Sequence, residues 1–167
     1  VDLWAAKRPD AASVSVFPFA VSRGAGRSTL IEPAGFGVNS GLVTLESRGD
    51  REGTCEVETV SFDEWSTDIE RIRLVKVDVE GHEDSVFEGM ERTLASGKVD
   101  CIVFEEMRPL PSPATATLRS YGYRCFMIDR SFWGPMLLDV DESPATLVGE
   151  STNVLAVGPS ESFGSIA

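Results

Sequence analysis

IRLVKVDVEGHEDSVFEGMERTLASGKVDCIVF, residues 72–104, decides the fold. Its first eight residues, 72–79, are mostly β-branched or aliphatic, the composition of a strand. The following stretch, 82–97, carries Val86, Phe87, Met90 and Leu94 on one helical stripe, and Gly97 supplies the stop. CIVF, 101–104, is a second short apolar strand. Strand, helix and strand in so short a span require parallel pairing through a right-handed crossover. The sequence therefore predicts an α/β fold.

Upstream, residues 14–21 are uncharged, β-branched and aromatic, which predicts a strand covered on both faces. Between residues 22 and 60, Gly24, Gly26, Gly35, Gly37, Gly41, Gly49 and Gly53 punctuate the runs STLIEP, GLVTLES and CEVETV. This pattern predicts an irregular excursion with short antiparallel strands. Ser61 or Asp63 then caps a brief helical turn around Asp63, Glu64 and Trp65. Downstream, Pro109, Pro111 and Pro113 lead into the short helix ATATLRSYG and the strand YRCFMID. TNVLAVG closes the domain, paired antiparallel with YRCFMID across an irregular stretch from 130 to 151. VDLWAAKRPDAA, at the start, reads as a helix already under way, and a first residue of Val1 rather than Met suggests a fragment. Residues 1–158 form one domain in this reading, and 159–167 a flexible tail.

The 167 residues give 42% hydrophobic and 25% charged content, which suits one packed domain. Fifteen Lys plus Arg against 27 Asp plus Glu leave a net charge of -12, a field that repels phosphate backbones and anionic headgroups. Nucleic acid and membrane surfaces are thus not expected partners. With no long apolar run and no signal-peptide order at the start, the chain reads as soluble and cytoplasmic. Cys55, Cys101 and Cys125 are scattered and odd in number, so neither a metal knuckle nor a disulfide framework is expected.

Chemistry concentrates where the 72–79 strand ends. In a parallel sheet, ligands bind beyond the carboxyl ends of the strands, and Asp78 and Glu80 occupy that rim. Strand alternation puts Lys76, Asp78 and Glu80 on one face and Val75, Val77 and Val79 on the other. Burial would require Lys76 to be ion-paired with Asp78 or with Glu105 at the end of the next strand. The plainer reading is a structural ion pair followed by an acidic first helical turn of His82, Glu83 and Asp84. A rival reading makes Asp78, Glu80 and His82 a metal triad, although Gly81 interrupts the strand before His82. GAGRST, 24–29, fits neither nucleotide-loop pattern and reads as a tight turn.

IRLVKVDVEGHEDSVFEGMERTL resembles the most characteristic stretch of the FkbM-type methyltransferases. In that family of S-adenosylmethionine-dependent enzymes with a Rossmann-like sheet, a strand carrying K-x-D-x-E-G-x-E runs into a helix with a glycine at its middle. The matching residues are Lys76, Asp78, Glu80, Gly81, Glu83 and Gly89. FPFAVS resembles the family's third strand, VETVSFDEW the segment before the fourth, CIVFEE the fifth, YGYRCFMI the sixth and NVLAV the seventh. The resemblance implies a mostly parallel sheet with a terminal antiparallel pair, truncated at its N-terminus. The family's glycine-rich cofactor turn and ribose-binding acid have no counterpart in these residues.

The implied function is O- or N-methyl transfer from S-adenosylmethionine to a small molecule or glycan. Asp78 and Glu80 would orient or deprotonate the acceptor, Lys76 and Glu105 would support them, and Ser22 would approach the adenine edge. No metal is required. A chain without the cofactor turn would be inactive alone. The family's first strand pairs with its fourth, so its loss would open an apolar edge along 72–79 and favour self-association. Two other classes fit the residues: a catalytically silent interaction domain with an acidic surface, and a metal-dependent hydrolase on Asp78, Glu80 and His82.

Overall fold

The computed structural model describes residues 13–33, 51–132, 134–141 and 152–159. The expected N-terminal helix, GLVTLES, half of the 130–151 connection and nearly all of the tail lie outside these residues. Among the described residues, eight strands fall into two sheets. One has the order β1 (Phe19–Ser22), β3 (Arg51–Ser61), β2 (Gly26–Pro33). The other runs β4 (Ile72–Val77), β5 (Val99–Glu106), β8 (Thr152–Val157), β6 (Arg124–Ser131), β7 (Gly134–Asp139). Four described short helices, α1 (Phe62–Trp65), α2 (Glu83–Glu88), α3 (Glu91–Ala95) and α4 (Pro113–Ser120), connect them.

The strand, helix, strand unit forms as the sequence predicts. β4 and β5 are parallel, in register from Ile72 opposite Val99 to Val77 opposite Phe104. β5 is an apolar strand flanked by β4 and β8: Val99, Ile102 and Phe104 are fully buried, and the stripe Val86, Phe87, Met90 and Leu94 packs in the same core. Phe87 meets Phe104 edge to face at 5.2 Å between ring centroids. Each such side chain stabilises the fold by about 1.5–3 kcal/mol. On the other side of the sheet order, Val154 and Ala156 of β8 and Ala114 and Leu118 of α4 complete the same core.

A mostly parallel sheet is not what forms. Among the described strands, only β1 with β3 and β4 with β5 run parallel, while β2 with β3, β5 with β8, β6 with β7 and β6 with β8 are antiparallel. Parallel neighbours need a long crossover, whereas the short link from Ser131 to Gly134 permits only a hairpin. That hairpin adds β7, a strand within a stretch expected to be irregular. The terminal antiparallel pair, β6 with β8, is present.

Three local expectations change. Residues 14–21 are not a doubly covered strand: β1 spans Phe19–Ser22, and Val14, Val16 and Phe17 are exposed, Phe17 resting against Trp65 at 5.8 Å. The long helix is broken into α2 and α3 at Gly89–Met90, where the backbone of Ser22 presses on the joint. β4 is an edge strand with Leu74 exposed, because β5 is its one neighbour among the described residues. Elsewhere the local signals hold. Ser61 caps α1 in a capping box with Glu64, and Gly97 stops α3 at a φ of 65°. No described helix is long and apolar enough to cross a membrane.

Candidate active site

β4 ends at Val77 and β5 at Glu106, so the adjacent positions Asp78 and Glu105 stand side by side at the carboxyl rim. The chain then reverses. Glu80 adopts a left-handed backbone, φ 51°, and Gly81 follows at φ 96°. A non-glycine residue in that region is strained and is held there by its surroundings. The turn brings Glu80 to the other two acids, and one carboxylate oxygen from each of Asp78, Glu80 and Glu105 lies within 4.8 Å of the others. Strand alternation therefore does not gather these groups, since β4 has ended. The turn does.

Lys76 belongs to the rim but is not buried. Its Nζ lies 3.2 Å from Asp78 Oδ2, and the side chains are 45% and 56% exposed. The expected buried ion pair is thus a solvated one, and Asp78 rather than Glu105 is the partner. An edge strand leaves the ammonium in water, where such a pair contributes about 0–1 kcal/mol.

His82 does not join the acids as the metal-triad reading requires. Its Nε2 is 2.9 Å from the Ser22 hydroxyl, which ties the helix start to the exit of β1. Among the described residues, the side chains that could share a cation are Asp78, Glu80 and Glu105. Ser22, proposed from sequence for the cofactor, is thus engaged on its hydroxyl with His82, while Arg23 beside it reaches Ser85 and Glu88 of α2.

The acidic first turn of α2 is not simply solvated. Glu83 is 5% exposed and accepts the Gly81 N–H at 3.1 Å. Asp84 accepts Nη1 and Nη2 of Arg108 at 2.6 and 3.0 Å. Arg108 turns its Nε and Nη2 to Glu106 at 2.9 and 3.0 Å, and Glu106 also accepts the Arg108 backbone N–H. The hydrogen bonds from Arg108 hold the Asp84 carboxyl below its ordinary range. Burial alone would raise Glu106, but bonds from Arg108 and Ser112 outweigh it and leave it lowered. Sequence reasoning missed Arg108, although a signal existed. Alternation along β5 puts Glu106 inward with Ile102 and Phe104, and a buried carboxylate demands a nearby cation.

The geometry is that of an α/β protein whose polar groups gather beyond the carboxyl ends of two parallel strands, where enzymes of this class do their chemistry. The chain belongs to the FkbM methyltransferase family: the methyltransferase FkbM domain matches residues 10–125, which take in the whole rim. No curated protein and no solved structure matches the chain.

Proposed function

We propose that this chain carries the acceptor side of an S-adenosylmethionine-dependent methyltransferase acting on a hydroxyl or amine of a small molecule or glycan. The observation that carries the reading is the convergence of Asp78, Glu80 and Glu105 at the strand ends within a chain of the FkbM family. Methyl transfer needs the acceptor atom aligned with the donor carbon and, for a hydroxyl, a base within hydrogen-bond reach. Asp78 and Glu80 fill that role in this reading: as carboxylates they accept the acceptor's proton or hold its O–H or N–H in line. Glu105 accepts a further hydrogen bond from the acceptor. Lys76 balances part of the charge through Asp78.

Toward S-adenosylmethionine, the described residues offer Ser22. A hydroxyl both donates and accepts, so Ser22 can keep its bond to His82 and still meet an adenine edge. The cofactor, when bound, supplies a methyl group on a sulfonium.

The test has two arms. Calorimetry on the 167-residue chain should show weak or no S-adenosylmethionine binding, and micromolar binding would mean that the cradle is already complete. In a polypeptide that joins this chain to a cofactor turn, transfer of labelled methyl to a panel of hydroxyl and amine acceptors should fall by about 10²–10⁴ in Asp78→Asn or Glu80→Gln. Tight cofactor binding without transfer to any acceptor would favour a silent domain instead.

A further inference from the structure

We propose that Arg108 is the positioning residue of the acidic rim, an assignment that rests on reading this rim as the acceptor side. The rim is assembled from two separate pieces of chain: the turn after β4, which brings Asp78 and Glu80, and the end of β5, which brings Glu105. The β4–β5 ladder seats Asp78 beside Glu105 as far as Val77 opposite Phe104, and the turn that carries Glu80 lies beyond it. Three like charges whose oxygens lie within 4.8 Å repel one another, and Glu80 sits in a backbone region that side-chain-bearing residues leave unless constrained. Lys76 does not bridge the pieces, because its ammonium reaches Asp78 on its own side of the gap.

Arg108 does bridge them. On one side its guanidinium binds both carboxylate oxygens of Asp84, four residues beyond Glu80 in the first turn of α2. On the other it binds both oxygens of Glu106, the residue after Glu105. One rigid, planar fork thus spans the gap that the rim spans. Glu106 is 3% exposed, so the β5 end of the clamp is anchored in the core. From the turn, Glu83 holds the Gly81 N–H, so a shift of α2 would carry the Glu80–Gly81 reversal with it. Lysine could supply the charge but not the four-point geometry. Arg108 is bonded to Asp84 and Glu106 rather than to the rim acids, so it acts through the backbone that they share.

Mn²⁺ serves as a probe of carboxylate spacing, read from paramagnetic broadening of the backbone amide NMR signals of Val79, Gly81 and Glu106 in the intact chain. The parent should show broadening at these amides that Glu105→Gln removes. Arg108→Met and Arg108→Lys should each need several-fold more Mn²⁺ for half-broadening. The sign discriminates: losing a cation beside three acids would by charge alone strengthen Mn²⁺ capture, and the lysine variant keeps the charge. A denaturant midpoint establishes that each variant is folded, and if Arg108→Met fails to fold, Arg108→Lys decides. Half-broadening at the parent's Mn²⁺ concentration or below it in a folded variant overturns the assignment, as does a parent with no Glu105-dependent broadening. Because the readout needs no methyl transfer, its failure is distinguishable from failure of the methyltransferase reading.

Discussion

Replacing Gly89 by alanine tests the packing that seats the site's helix. Gly89 has φ -76° and ψ 0°, a conformation open to any residue, so backbone freedom does not call for glycine here. On conformational entropy alone, alanine should stabilise the protein by about 0.5–1 kcal/mol. Space opposes this. A Cβ at position 89 would collide with the carbonyl oxygen of Ser22, with that carbonyl carbon at 3.0 Å and the Cα of Arg23 at 3.2 Å. These are backbone atoms at the exit of β1, which is laddered to β3, and they cannot rotate aside as a side-chain tip would. Relief requires α2 to back away from β1, which stretches the Ser22–His82 hydrogen bond from its 2.9 Å. Overpacking of this kind costs about 1–3 kcal/mol, and loss of the hydrogen bond about 1 kcal/mol more. After the entropic gain, a net loss of about 1–3 kcal/mol remains, equivalent to a fall in Tm of roughly 2–12 °C for a domain of this size. Thermal melts followed by circular dichroism measure it, with Gly24→Ala, where a Cβ meets nothing within 4 Å, as the control. A Gly89→Ala protein as stable as its parent would refute the close approach of β1 to α2.

Lys76→Met should cost less stability than Glu83→Gln. The exposed Lys76–Asp78 pair predicts a change of about 1 kcal/mol or less, whereas Glu83, buried and holding the Gly81 N–H, predicts the larger loss in urea midpoint. A larger effect at Lys76 would contradict the solvated rim. Acid stability follows from Asp84 and Glu106, whose carboxyls are lowered in the folded state. Depressed groups stabilise above their unfolded values, ordinarily 3.8 for Asp84 and 4.5 for Glu106, and lose that contribution as pH falls through the folded ones. Urea midpoints should therefore drop from about pH 4.5 downward, and Arg108→Met should flatten that part of the profile; an unchanged slope would count against the clamp. Finally, the outer edge of β4 borders an apolar groove lined by Phe62, Trp65, Ile69, Ile72 and Leu74, so concentration-dependent self-association is expected in light scattering. Leu74→Lys should suppress it, and a monodisperse parent at high concentration would sink the idea.

The α/β unit was legible in the sequence because its signals are local and strong. The stripe Val86, Phe87, Met90 and Leu94 has nowhere to go but onto an apolar strand, and CIVF provides one, so burial followed the pattern. The identity of the rim acids was legible for the same reason: a strand that changes abruptly from valines to Asp78 and Glu80 exposes its end. Their arrangement was not. Alternation placed Glu80 on a strand face, while tertiary contacts hold it in a left-handed turn that carries it to Glu105. The exposure of Lys76 and the burial of Glu83 were not legible, because exposure depends on which strand sits at the sheet's edge and which helix turn meets β1. Those neighbours are remote in sequence. Arg108 and the Ser22–His82 contact, 60 residues apart, belong to the same category. The sequence by itself determined which residues had to be buried and where charge had to accumulate, because periodicity encodes both. The tertiary structure alone decided which charges meet, because partnering is set by distances between segments that no local pattern specifies.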